Sequence, residues 1–217
     1  MRMFATTFEM ELFGRAQQKL LHAGVVKLQA LEVVAARREG RSVRRVEMKR
    51  VDAPNGGTRV RIEMPRFGGP QLSVLLALLF TLNVLELRAM VARGPVPSVY
   101  EAGVVYTREP RGCEIWRTIA VLYRLGRGDC EDIATALAAW LCVVCREMGA
   151  RPIWKVFQTA AGRLYHILTR RADGRIEDAC RALGMGRNGT DNHHHTRRAR
   201  ARWILPRKAQ QTKKWRN

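Results

Sequence analysis

Cys130, His166 and Asp178 are a sulfur, an imidazole and a carboxylate in the chain order that thiol acyl transfer uses. Cys130 stands in Gly126-Arg-Gly-Asp-Cys-Glu-Asp132, just ahead of an apolar helical run. Asp129 suits the N-cap and Asp132 follows three residues later, as in a capping box, so Cys130 falls in the first turn. Unpaired backbone N–H groups there favour a thiolate. The neighbouring carboxylates of Asp129, Glu131 and Asp132 oppose it, and the helix dipole supplies only about 0.3–1 kcal/mol. A histidine in contact decides the matter, by forming a thiolate–imidazolium pair. Cys130 also continues the stripe Ala134, Leu137, Leu141 and Val144, so it reads equally as a packed core cysteine. Gly126 and Gly128 let the backbone turn sharply and let a substrate come close.

His166 alternates with Leu164 and Leu168 along a strand. If Ala172-Asp173-Gly174 closes a three-residue hairpin loop with a left-handed glycine, His166 lies opposite Cys180 and Asp178 is its diagonal neighbour on the same face. A two-residue Asp-Gly loop puts Asp178 on the other face. In the first register Cys130 attacks a carbonyl, His166 shuttles the proton and Asp178 orients the ring. The Cys130 N–H helps to hold the oxyanion. Glu114, Trp116 and Asp129 are candidates to line that cleft, although Trp116 on an amphipathic helix also reads as core.

The elements that must position these groups follow from periodicity. Residues 8–38 carry a helical pattern through Phe8, Leu12, Phe13, Ala16, Leu20, Ala23, Lys27, Leu28, Leu31 and Val34. Val46 and Met48, then Asn55-Gly56-Gly57, then Val60, Ile62 and Met64 spell a hairpin. Residues 72–92 are strongly apolar but broken by Ser73, Thr81, Asn83 and Glu86, and only about 16 residues precede Arg88. A buried helix fits better than a membrane span, so no membrane partner is expected. Residues 113–125 read as helix with Ile115 and Trp116 inside, and the central helix runs from Asp129 to a stop near Gly149. Strands follow at 153–158, 163–169 and 175–178. Helices followed by antiparallel strands make the fold class α+β. Pro95 and Pro97 divide an N-terminal extension, residues 1–94, from a core at 95–186, and a basic tail occupies 187–217.

The chain has 217 residues, with 39 Lys and Arg against 19 Asp and Glu, a net charge of +20. Such an excess points to an anionic partner, or to an arginine-rich composition as such. The five cysteines have no framework spacing, and the N-terminus lacks a signal-peptide core; free thiols and a cytoplasmic location follow. Cys142-Val-Val-Cys145 lacks a second ligand pair and His193-His194-His195 reads as surface loop, so neither metal nor cofactor is expected. The tail joins Arg197, Arg198, Arg200, Arg202, Lys213 and Lys214 to Trp203 and Trp215, a mixture suited to phosphate contacts with base stacking, or to an acidic protein lattice.

Residues 99–186 resemble transglutaminase-like cysteine peptidases, particularly the short versions encoded by tailed bacteriophages. The resemblance lies in Tyr100 to Tyr106 with Glu109, Glu114-Ile-Trp116, Gly128-Asp-Cys-Glu-Asp132, Tyr165-His166, and Asp173-Gly-Arg-Ile-Glu-Asp178 before Leu183-Gly-Met185. It departs at Ala179, where a proline is expected. It implies a papain-like core, a catalytic helix packed on antiparallel strands, with Cys130, His166 and Asp178 as triad and a protein substrate. It also implies a host-cytoplasm or virion setting. The rival expectation is a non-catalytic assembly protein of the same fold, whose basic and apolar flanks dock neighbouring virion proteins or nucleic acid in a larger assembly.

Overall fold

The computed structural model describes residues 6–12, 15–52, 58–65, 67–109, 114–159 and 162–186. The Asn55-Gly56-Gly57 turn and His193 to His195 lie outside them. So does the whole tail, with Arg197, Arg198, Arg200, Arg202, Trp203, Lys213, Lys214 and Trp215.

Alternation of Val60, Ile62 and Met64 with charged residues builds β3 (Thr58–Met64), and β2 (Glu47–Asp52) pairs antiparallel with it, Met48 opposite Ile62. The other edge of β3 takes β1 (Thr6–Leu12), which in turn runs parallel to β5 (Glu114–Trp116). The sheet order is β2-β3-β1-β5. Two helical expectations give way here. Phe8, Met10 and Leu12 alternate with Thr7, Glu9 and Glu11, a period of two that an open sheet edge selects, so the first helix, α1, spans only Arg15–Arg38. Its buried row is Leu21, Leu28, Glu32 and Ala36, whereas Val34 is 49% exposed. Residues 113–125 likewise divide, into strand β5 and a short helix α3 (Ile119–Leu125).

The apolar run forms α2 (Gly69–Val91), long and apolar enough by composition to cross a membrane. In this fold it packs against α1 and against α4 (Cys130–Val143), burying Leu72, Leu75, Leu79, Leu82 and Leu87. Its polar interruptions have structural work. Asn83, fully buried, accepts from the Ile119 N–H at 2.7 Å and donates to Thr135 Oγ1 at 3.1 Å, while Glu86 accepts from the Ala120 N–H at 3.1 Å. Side chains of α2 thereby satisfy the first amides of α3, which its own N-cap, Thr118, leaves unbonded.

Helix α4 ends six residues short of Gly149. Arg146 adopts a left-handed φ of 59°, and the Glu147 N–H bonds the Leu141 carbonyl at 2.9 Å. Cys145 consequently lies outside the helix that carries Cys142, and it is exposed. Beyond it β7 (Arg151–Thr159), β8 (Gly162–Arg170) and β9 (Ile176–Glu177) form an antiparallel sheet in that order. Two-residue strands β4 (Val105–Tyr106) and β6 (Arg127–Gly128) pair in parallel, and α5 (Ala179–Ala182) follows β9. The whole is a mixed α+β structure with small sheets. One apolar cluster joins α1, β3, α2, Trp116 and Ile167; a second joins the end of α2 to α3, α4 and α5; Cys130 packs against both.

Candidate functional site

Helix α4 begins at Cys130 because β6 delivers the chain to Asp129, whose extended backbone is the N-cap. The cap is bare: no side-chain bond from Asp129 closes it, and the expected capping box is absent. Asp132 instead accepts the Arg117 N–H at 2.6 Å and the Arg117 guanidinium at 2.8 Å. Gly128 serves packing rather than substrate access. A Cβ there would stand 2.6 Å from Leu122 and 2.8 Å from Asp132. Gly126 does turn the chain, at a left-handed φ of 66° that caps α3.

The β8–β9 hairpin takes the three-residue loop. Arg171 and Arg175 close it, Gly174 has a φ of 88°, and Thr169 pairs with Glu177, a register that sets His166 across from Cys180. Asp178, one residue past β9, caps α5 by accepting from the Arg181 N–H at 3.3 Å. Its other oxygen, Oδ2, lies 3.1 Å from His166 Nε2. Burial alone would raise the Asp178 carboxyl; the bonds to His166 and Arg181 outweigh it and hold the group below its ordinary value. His166 is 7% exposed, with the Phe157 ring 6.1 Å away at the surface.

Cys130 reaches the same strand, where the Ile167 N–H stands near enough to its sulfur to favour the thiolate. That amide is available because β9 has ended before this point of β8. No hydrogen bond joins Cys130 to His166 among the described residues; the thiol donates to Glu131 Oε2 at 3.2 Å. Desolvation in this corner, followed by the charges of Glu131, Asp129 and Cys180, pushes the thiol well above its ordinary value, and the Ile167 N–H only partly offsets them. The resting group is a thiol.

Sequence reasoning missed the extent of the surrounding acid cluster. Glu109, Glu114, Asp129, Glu131 and Asp132 gather around Arg117, which also meets Glu109 Oε1 at 2.8 Å. Burial is the main cause that raises Glu109 to about 7 and Asp132 to about 6, and it holds Asp129 and Glu131 well above the carboxylate range. Glu114, at the surface but hemmed in on its carboxylate side, is raised too. Oxygens of Glu109, Glu114 and Glu131 lie within 4.8 Å of one another, close enough to share protons or enclose one small cation. The signal available in sequence was three carboxylates within Asp129-Cys-Glu-Asp132; nothing local tied them to positions 109, 114 and 117. Of the expected cleft residues, Asp129 acts on the thiol through its charge and Glu114 lies near Glu131, whereas Trp116 is 2% exposed and belongs to the core. Its bulk is spent filling the junction of β5 with α1 and α2. Compared with family models, curated proteins and solved structures, the chain matches none.

Proposed function

We propose that this chain is a thiol-dependent acyl-transfer enzyme acting on amide bonds, a peptidase or transamidase with a transglutaminase-like, papain-like core. The observation that carries the reading is the 3.1 Å bond between His166 Nε2 and Asp178 Oδ2, on the strand whose next amide stands near the Cys130 sulfur. With Nε2–H given to Asp178, Nδ1 is the lone pair left to act as base. The raised thiol makes that base necessary at the moment of attack rather than before it. Cys130 Sγ bonds to the amide carbon as its proton passes to Nδ1. The oxyanion faces the unpaired amides that open α4. The tetrahedral species then expels the amine, which takes the proton back from His166 and leaves a thioester. Water or a second amine, deprotonated by His166, resolves it.

One observation favours a second reading, a fold of this type kept as a non-catalytic assembly component. The sulfur's hydrogen bond goes to Glu131 and not to His166. A virion setting with an anionic partner for the basic tail suits either reading, given the +20 charge. Incubation with casein and a fluorescent primary amine separates the two. The enzyme reading predicts shortened casein or incorporated amine, lost in Cys130→Ala; no product above that variant's level contradicts it.

A further inference from the structure

His166 must hand a proton to the departing amine, yet only 7% of the residue meets solvent. What can approach it is therefore set by its neighbours on the same face of the sheet. Strand pairing places Lys155 directly opposite His166 and Phe157 opposite Leu164, so Phe157 is the diagonal neighbour of the imidazole on that face. The two ring centroids are 6.1 Å apart with the planes tilted by 54°, and 42% of Phe157 remains exposed. Val156, between Lys155 and Phe157, belongs to the opposite face. A large apolar ring thus stands half in water beside the base, where covering it would be favourable.

We propose that Phe157 is a specificity-determining residue, whose exposed ring receives an apolar side chain on the residue that supplies the leaving or incoming amine. The inference rests on the acyl-transfer reading of Cys130 and His166. Proton exchange brings the amine nitrogen to within about 3 Å of the imidazole. The carbon bonded to that nitrogen carries the side chain, so the side chain starts close to the histidine and can reach a ring centred 6.1 Å from it. The acyl half of the bond is tied to the sulfur, which leaves the amine half to pass the histidine. An aromatic or branched aliphatic group laid on Phe157 removes both from water, whereas glycine gains nothing there. Lys155 is exposed and adds a positive charge to the same face, so a basic side chain is disfavoured at this position.

The test is binding of dipeptide amides, as amine-side fragments, to the full-length protein at neutral pH. It is read from the isotope-labelled imidazole resonance of His166, identified as the signal that His166→Ala removes. Phenylalanyl-alanine amide shifts that resonance saturably and binds about fivefold or more tightly than glycyl-alanine amide or lysyl-alanine amide. Phe157→Ala brings the three peptides to within about twofold of one another, and Phe157→Leu keeps most of the preference. Val156→Ala, on the opposite face of the same strand, leaves the preference intact. Equal affinities in the unaltered protein, no shift with any peptide, or a preference that survives Phe157→Ala overturns the proposal. The readout needs no turnover, so the acyl-transfer reading fails separately: transfer of an acetyl group from Cys130 to phenylalanyl-alanine amide would then be absent, or equal in His166→Ala, while the Phe157-dependent binding persisted.

Discussion

At the residue scale, the chemistry of Cys130 is set by what surrounds the sulfur more than by the helix it begins. Four influences oppose the thiolate, namely desolvation, Glu131, Asp129 and Cys180, and the Ile167 N–H favours it. Removing the Glu131 carboxyl should move the balance toward the thiolate. Glu131→Gln is therefore expected to shift the midpoint of Cys130 alkylation downward, with Cys145 as internal reference. An unmoved midpoint would show that Glu131 does not govern the sulfur. His166 and Asp178 were legible in sequence because loop length fixes register, and register fixes which side chains share a face. Glu131's grip on the thiol was not, because adjacency in sequence does not say which rotamer a glutamate takes.

At the scale of elements, the hairpin β2–β3, the apolar helix α2 and the strands β7–β9 were readable from alternation and turn chemistry. The strands β1 and β5 were not. β1 pairs along its whole length with β3, more than 40 residues away, and the three-residue β5 pairs with β1 across more than 100, contacts that no local window contains. The end of α4 was misplaced because Arg146 takes the left-handed position usually given to glycine. Through β5, the acid cluster ties that long-range pairing to the start of α4, and it makes stability depend on pH in an unusual sense. Glu109 holds its proton in the fold up to about pH 7 but when unfolded only to 4.5; for Asp132 the values are about 6 and 3.8. The native state thus binds more protons across that window, and its stability declines as pH rises from about 4 to 7. The melting temperature is expected to be several degrees higher at pH 5 than at pH 7.5, and Glu109→Gln should flatten the slope. Asp178, lowered in the fold, acts in the opposite direction and only below its unfolded value of 3.8, outside this window.

At the scale of the whole molecule, the first 94 residues are less an appendage than their position suggests. Helix α2 lies along α4, and Asn83 ties it to both α3 and α4 through bonds of 2.7 and 3.1 Å. Asn83→Ala strands the Ile119 N–H and leaves a small void, a loss of about 2–4 kcal/mol that denaturant titration would measure. Loss under 0.5 kcal/mol would mean that the clamp is dispensable. The tail's ten Lys and Arg residues between Arg187 and Asn217 give the chain a separate electrostatic property. Binding to single-stranded nucleic acid should fall steeply with salt and vanish on truncation at Arg187; salt-independent binding contradicts a phosphate-contact mechanism.

Acetylation by p-nitrophenyl acetate tests most directly whether sulfur, imidazole and carboxylate act as one unit. The account predicts a burst of about one acetyl group per chain, located on Cys130, with a rate that drops about 100-fold in His166→Ala and about 10-fold in Asp178→Asn. Acetyl groups scattered over several thiols, or a Cys130 rate unchanged by His166→Ala, would contradict it.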